Sequence, residues 1–329
     1  MINHGWARRM AGFILGCGYL AVFLSACGSR PAETTPDANH TDPSSTPSGM
    51  PTTATPTVAA SDGATAIPTD APRPSPAPDD WKAYPTVPSF AGRVETIFKR
   101  GISLGRDPNV FSKVGDCQNI TTFFLADFED PAKFRLGPYQ DLQATIDWFK
   151  GSLGRKSLAV KGGMNVAAVI NPLRADPDAC PASESPLACE LRLNNPSLAI
   201  ISFEEAWDGN VDKYETYLRQ VIEYSLDQGV VPVVATKADN LEGGDRINAL
   251  IAQLAWEYDI PLWNFWGAVQ PLRYHGLSKD GFHLTQATGD LNFFFDLAPS
   301  KWSGWMARNL TALQVLDGAR RELISPNNP

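Results

Sequence analysis

The sequence predicts a three-layer α/β/α domain built on a mostly parallel, five-stranded sheet and carried at the end of a long tether. Three observations predict it. Short apolar runs alternate with segments of helical periodicity from about residue 109 onward. Two of those runs, Ser197–Phe203 and Val230–Thr236, are almost continuously apolar, as in strands covered on both faces. The stretch Trp81–Pro329 is about 250 residues long and holds most of the chain's tryptophan and phenylalanine, enough for one substantial core. Strands alternating with helices at this spacing favour a parallel sheet with helices on both faces.

The elements follow in chain order. Asn109–Val114 reads as the first strand and ends in Gly115-Asp116-Cys117. Tyr139–Lys150 carries Leu142, Ile146 and Phe149 at helical spacing. Ser157–Val160 is a short second strand, closed by Gly162-Gly163. Ser197–Phe203 is the third, followed by a helix over Asp212–Asp227 that stops at Gly229, a natural C-terminal cap. Val230–Thr236 is the fourth strand, Asp245–Tyr258 a helix, and Ile260–Phe265 the fifth strand. A long helix over Gly304–Leu323 closes the domain.

Before the domain, Arg8 and Arg9 precede an apolar stretch, Met10–Leu24, which is short for a membrane span. It fits the h-region of an export signal. Leu24-Ser25-Ala26-Cys27 resembles the lipobox of bacterial lipoproteins. The resemblance implies a signal over 1–26, cleavage before Cys27 and diacylglyceryl modification of its thiol. Two or more acyl chains anchor stably where one does not, so the chain is expected on the extracytoplasmic face of a membrane. A plain cleaved signal or an uncleaved span are the alternatives. Residues 27–80 lack Phe, Tyr and Trp after Cys27 and are rich in Pro, Thr, Ser and Ala. Such a segment cannot bury enough apolar surface to fold, and its prolines keep it extended.

The net charge is −8, which gives no electrostatic reason to expect nucleic acid. A monomer without metal or other cofactor is expected. In an oxidising compartment Cys180 and Cys189, flanking the loop-like run 181–188, are expected to pair; two thiols are the alternative. Cys117 is then the odd thiol, and a thiol asks for a chemical role.

Ligands of open α/β sheets bind at the carboxyl ends of the strands. Those ends deliver Gly115-Asp116-Cys117, Gly162-Gly163, Glu204-Glu205-Ala206-Trp207 and a late Asp280-Gly281-Phe282-His283. A thiol, an imidazole, carboxylates and a glycine turn are the parts of a nucleophile–base–orienter system. The four acids Asp116, Glu204, Glu205 and Asp280 could instead offer oxygen ligands to calcium, although their spacing matches no known loop.

Val114-Gly115-Asp116-Cys117 and Asp280-Gly281-Phe282-His283 together resemble the first and last blocks of the SGNH, or GDSL-type, hydrolases, with cysteine in the place of the nucleophilic serine. Pro196–Ile201 resembles the strand before the third block. The resemblance spans roughly residues 109–285 and implies a flavodoxin-like fold. It implies that Cys117 attacks an acyl ester, that His283 is the base, and that Asp280 orients it. Backbone N–H groups of Cys117 and Gly163 would bind the oxyanion. The third block departs from the family: Glu204 and Ala206 stand where its glycine and asparagine fall, with Glu205 and Trp207 beside them. Losing one oxyanion donor costs about 2.7–4 kcal/mol. A glutamate ~4 Å from a developing anion adds about 4 kcal/mol of repulsion at an effective dielectric of ~20, and it raises the thiol pKa. These departures argue against ordinary serine-esterase activity. Two functions follow as expectations: a surface hydrolase or acyltransferase acting on acyl esters of small molecules, lipids or glycans, or a degenerate relative that binds a glycan or other ligand without turnover, with Trp207 stacking on sugar.

Overall fold

Four parallel strands lie side by side in the order β1-β2-β3-β4: β1 Asp107–Gly115, β2 Pro196–Ser202, β3 Val231–Ala235 and β4 Leu262–Trp263. The computed structural model describes residues 75–203 and 210–324. The segments expected to be an export signal and a tether, with Cys27, fall at residues 1–80, of which all but 75–80 lie outside the described residues. Among the described residues no helix is long and apolar enough to cross a membrane.

Both central strands are wholly buried, as their unbroken apolar runs require. Their register sets Gly115 opposite Ser202, Leu198 opposite Val231 and Ala235 opposite Trp263. The α-helices are α1 Arg93–Ser103, α2 Gln143–Trp148, α3 Pro186–Asn194, α4 Val211–Asp227, α5 Arg246–Tyr258, α6 Phe265–Val269 and α7 Gly304–Leu323. The last begins where Ser303 accepts a hydrogen bond from Met306 N at 3.1 Å, an N-cap in the usual sense. Met306, Ala312, Leu313 and Val315 are fully buried, and most of the helix is covered on every side. A helix so enclosed belongs to the core.

Three sequence expectations need correction. Among the described residues the sheet has four strands, because Ser157–Val160 does not form one: it contributes the isolated parallel bridge between Val160 and Gly115. Gly115 N does donate to Ala159 O at 3.0 Å and Lys161 N to Gly115 O at 3.3 Å. Side chains take the other ladder positions. Ser157 Oγ donates to Lys113 O at 2.6 Å, and Leu158 N donates to Glu190 Oε2 at 2.8 Å. The predicted helix over Tyr139–Lys150 is a short 3-10 turn, Gln140–Leu142, running into α2.

The run between Cys180 and Cys189 is the third correction, since its second half is the start of α3. Ser185 caps that helix by accepting from Ala188 N at 3.2 Å, and Pro186 takes the first helical position, where a missing N–H costs nothing. The expected disulfide between Cys180 and Cys189 is present and ties the preceding turn to this helix.

Candidate active site

The end of β1 is shaped by a glycine. Gly115 has φ +149°, and a Cβ there would lie 1.9 Å from Ser202 O and 2.3 Å from Asn119 Nδ2. Without a side chain, β1 can press against the end of β2 while Asn119 Nδ2 donates to Ser202 O at 2.9 Å. The chain then turns through the 3-10 segment Cys117–Asn119, where Asp116 Oδ1 accepts from Gln118 N at 3.3 Å. Cys117 is half-buried and outside the disulfide.

The Asp280–His283 segment is a tight turn closed by an antiparallel bridge between Leu277 and Leu284. Ser278 N donates to His283 O at 2.7 Å and Gly281 N to Ser278 O at 3.0 Å. Gly281 sits at φ +70°, where a side chain would be strained. Beyond the turn, Thr285 is clamped to the start of α7: Gly304 N donates to Thr285 Oγ1 at 2.8 Å and Trp305 N to Thr285 O at 3.1 Å. The helix therefore positions both the His283 turn and Trp305.

Within the turn, His283 Nδ1 and Asp280 Oδ2 are 2.7 Å apart, while Asp280 Oδ1 accepts from the N–H groups of Phe282 and His283, each at 3.0 Å. The hydrogen bond from His283, then those from the backbone, hold the Asp280 carboxyl below its ordinary range. An ionised carboxylate only accepts, so Nδ1 is the donor in this pair, which in a neutral ring leaves the lone pair on Nε2.

Cys117 and His283 line one cleft of about 560 Å³, with Gln118, Ile120, Phe123, Ser278, Leu284, Gln286 and Trp305. Phe123 and Trp305 form a tilted aromatic pair, centroids 5.5 Å apart, on its apolar side. A larger hollow of about 750 Å³, bordered by Trp81, Tyr84, Arg246 and Gln253 among others, holds no thiol or imidazole; the chemistry lies in the smaller one.

Beneath the cleft lies a residue that sequence reasoning passed over. Arg308 of α7 is 1% exposed. Its Nε donates to Gln118 O at 2.9 Å, and one terminal nitrogen donates to Ser202 Oγ at 2.7 Å and Asn119 Oδ1 at 3.2 Å. Its guanidinium lies 4.7, 5.0 and 5.1 Å from the ring centroids of Phe124, Trp263 and Phe265. It thus joins the ends of β1 and β2 to the final helix. An arginine inside an apolar helical pattern was the available signal.

Gly163 lies on the turn after the Val160 bridge at φ +73° and is not among the residues lining the cleft. Glu204, Glu205, Ala206 and Trp207 lie outside the described residues, so two of the four acids considered for calcium do as well. No known family profile matches the chain, and no curated protein matches it.

Proposed function

We propose that the protein is an SGNH-type ester hydrolase or acyltransferase that works through a Cys117–His283–Asp280 triad. The observation that carries the reading is that Cys117 and His283 share one cleft while His283 is held in a single tautomer by Asp280 at 2.7 Å. In the first step the thiol proton passes to His283 Nε2 as the Sγ–carbon bond forms and the carbonyl π pair moves to oxygen. The carbonyl then re-forms and the carbon–alkoxide bond breaks. His283 returns the proton to the leaving alcohol, and a thioester remains on Cys117. Water or an acceptor alcohol takes the acyl group in the second half. The Phe123–Trp305 wall suits an apolar acyl chain.

The fold supports the same reading. The Val160 bridge puts residues 157–160 on the far side of β1 from β2, so the lateral order is that segment, β1, β2, β3, β4. This order is consistent with a flavodoxin-like three-layer domain, in which the switch point would fall between β1 and β2. Cys117 follows β1, at that point. Lipid attachment at Cys27 and a tether over residues 27–80 would present the domain to acylated lipids or glycans outside a membrane.

The test is turnover of short acyl esters and thioesters by the purified protein, with Cys117→Ala and His283→Ala alongside. The reading expects activity that both substitutions abolish. Absent turnover, or turnover that survives both, overturns it and leaves the ligand-binding alternative.

A further inference from the structure

Gln118 directly follows Cys117 and borders the same cleft. It is 3% exposed, and its main chain is fully engaged: the N–H donates to Asp116 and the carbonyl accepts from Arg308. Its side-chain Nε2 is buried with no hydrogen-bond acceptor. The amide next to it behaves otherwise. Asn119 donates from Nδ2 to Ser202 O and accepts at Oδ1 from Ser202 Oγ and Arg308. Buried amide donors are nearly always satisfied, and an orphan bordering a cleft calls for an acceptor from outside the chain.

We propose that Gln118 Nε2 donates to the carbonyl oxygen of the acyl substrate and to the oxyanion it becomes, making Gln118 a catalytic residue. This rests on Cys117 being the nucleophile. It supplies the side-chain amide that the resembled family draws from the asparagine of its third block, where this chain has Ala206. Attack by Cys117 Sγ forms the sulfur–carbon bond, sends the thiol proton to His283 and places the carbonyl electron pair on oxygen. Phe123 and Trp305 make the site partly apolar, so a hydrogen bond that the Gln118 side chain turns toward the developing charge is stronger in the transition state than in the ground state. The position beside the nucleophile fits, because Arg308 and Asp116 fix the backbone of Gln118 and leave only its side chain to adjust.

The experiment measures binding of an alkyl trifluoromethyl ketone, which forms a tetrahedral adduct with a thiolate, to the full chain and to Gln118→Met and Gln118→Ala. Iodoacetamide labelling of Cys117 is followed in each. Gln118→Met keeps the length of the side chain without its N–H, and the expected melting temperature is no lower than the parent's. The proposal expects adduct affinity to fall about 100- to 1000-fold in both variants while the labelling rate is unchanged. Equal affinity in parent and variants overturns it. No adduct in the parent also overturns it, and labelling tells the two readings apart: a fast thiol leaves the triad standing without Gln118, whereas a slow thiol sinks the triad as well.

Discussion

Arg308 Nε donates to the carbonyl of Gln118 at 2.9 Å across 190 residues of sequence. The residue after the candidate nucleophile is thus held by the last helix of the domain, and the same guanidinium reaches Ser202 and Asn119. The first prediction comes from this contact. Arg308→Met keeps apolar bulk among Phe124, Trp263 and Phe265 but removes donors to three buried acceptors. Each lost hydrogen bond costs about 0.5–1.5 kcal/mol net, Ser202 and Asn119 keeping their bond to each other while Gln118 O loses its donor. A total near ~3 kcal/mol would lower the melting temperature by roughly 6–12 °C. Thermal unfolding followed by circular dichroism checks it, and a melting point equal to the parent's would mean that the network contributes nothing.

Gly115→Ala should be worse. Its Cβ would meet backbone oxygen of Ser202 at 1.9 Å, and no rotamer change relieves a clash with main chain. The dihedral itself is one that side-chain-bearing residues rarely adopt. The expected outcome is loss of soluble, cooperatively folding protein, read by expression yield and unfolding. As a control, Gly105→Ala has open space around the added atom and should fold, with only the local strain of its φ of +86°.

Asp280→Asn tests the orienting role. An asparagine amide can donate to Nδ1 and hold the tautomer whose Nε2 carries the proton, which is the wrong one for a base. We expect kcat to fall roughly 1,000- to 10,000-fold with the melting temperature nearly unchanged, since both side chains are about half exposed and such pairs contribute little to stability. What they do contribute has a defined sign. The carboxyl pKa is depressed in the folded state, so the contribution is present above the ordinary value of 3.8 and lost as pH falls through the lower folded value.

Lys113 gives a pH dependence in the opposite range. It sits 1% exposed on β1, donating to Leu153 O at 2.9 Å and Thr121 Oγ1 at 3.2 Å. Burial, with Arg155 nearby, lowers its pKa from 10.5 to about 7. Between those two values the unfolded chain holds a proton that the folded chain has released, so stability contributed at this site rises with pH across the window. Below about 7 both states are protonated and the cost of the buried charge is fully present. In Lys113→Met that slope should disappear. Denaturant unfolding of both proteins from pH 6 to 10 measures it, and parallel curves would count against the assignment.

How much of this was legible beforehand differs element by element. The last helix, read from the sequence over roughly Gly304–Leu323, has those bounds in the structure, where Ser303 caps its start through a hydrogen bond three residues along the chain. The apolar runs of β2 and β3 and the stop at Gly229 were equally local. Ser157–Val160 failed because its apolar pattern could not reveal that Ser157 Oγ and the Glu190 carboxylate would take the ladder's hydrogen bonds. The start of α3 hid inside a proline- and serine-rich run, although Ser185-Pro186 is a cap followed by a favoured first residue.

The candidate site divides along the same line. By itself the sequence determined the residue types: Cys117 after a glycine strand end, Asp280 three residues before His283, and two cysteines near enough to pair. Spacing alone allows Asp280 and His283 to meet on a tight turn, and the Asp280 carboxylate accepts bonds from inside that turn. Only the tertiary structure decided that this turn faces the same cleft as Cys117, that α7 clamps it through Thr285, and that Arg308 fixes Gln118 from below. It also left Gln118 Nε2 buried without an acceptor while Asn119 beside it found partners for both its amide nitrogen and its oxygen. The physical reason is range: caps and tight turns are settled by hydrogen bonds a few residues apart, whereas a buried guanidinium or an orphan amide is defined by neighbours that only packing brings together.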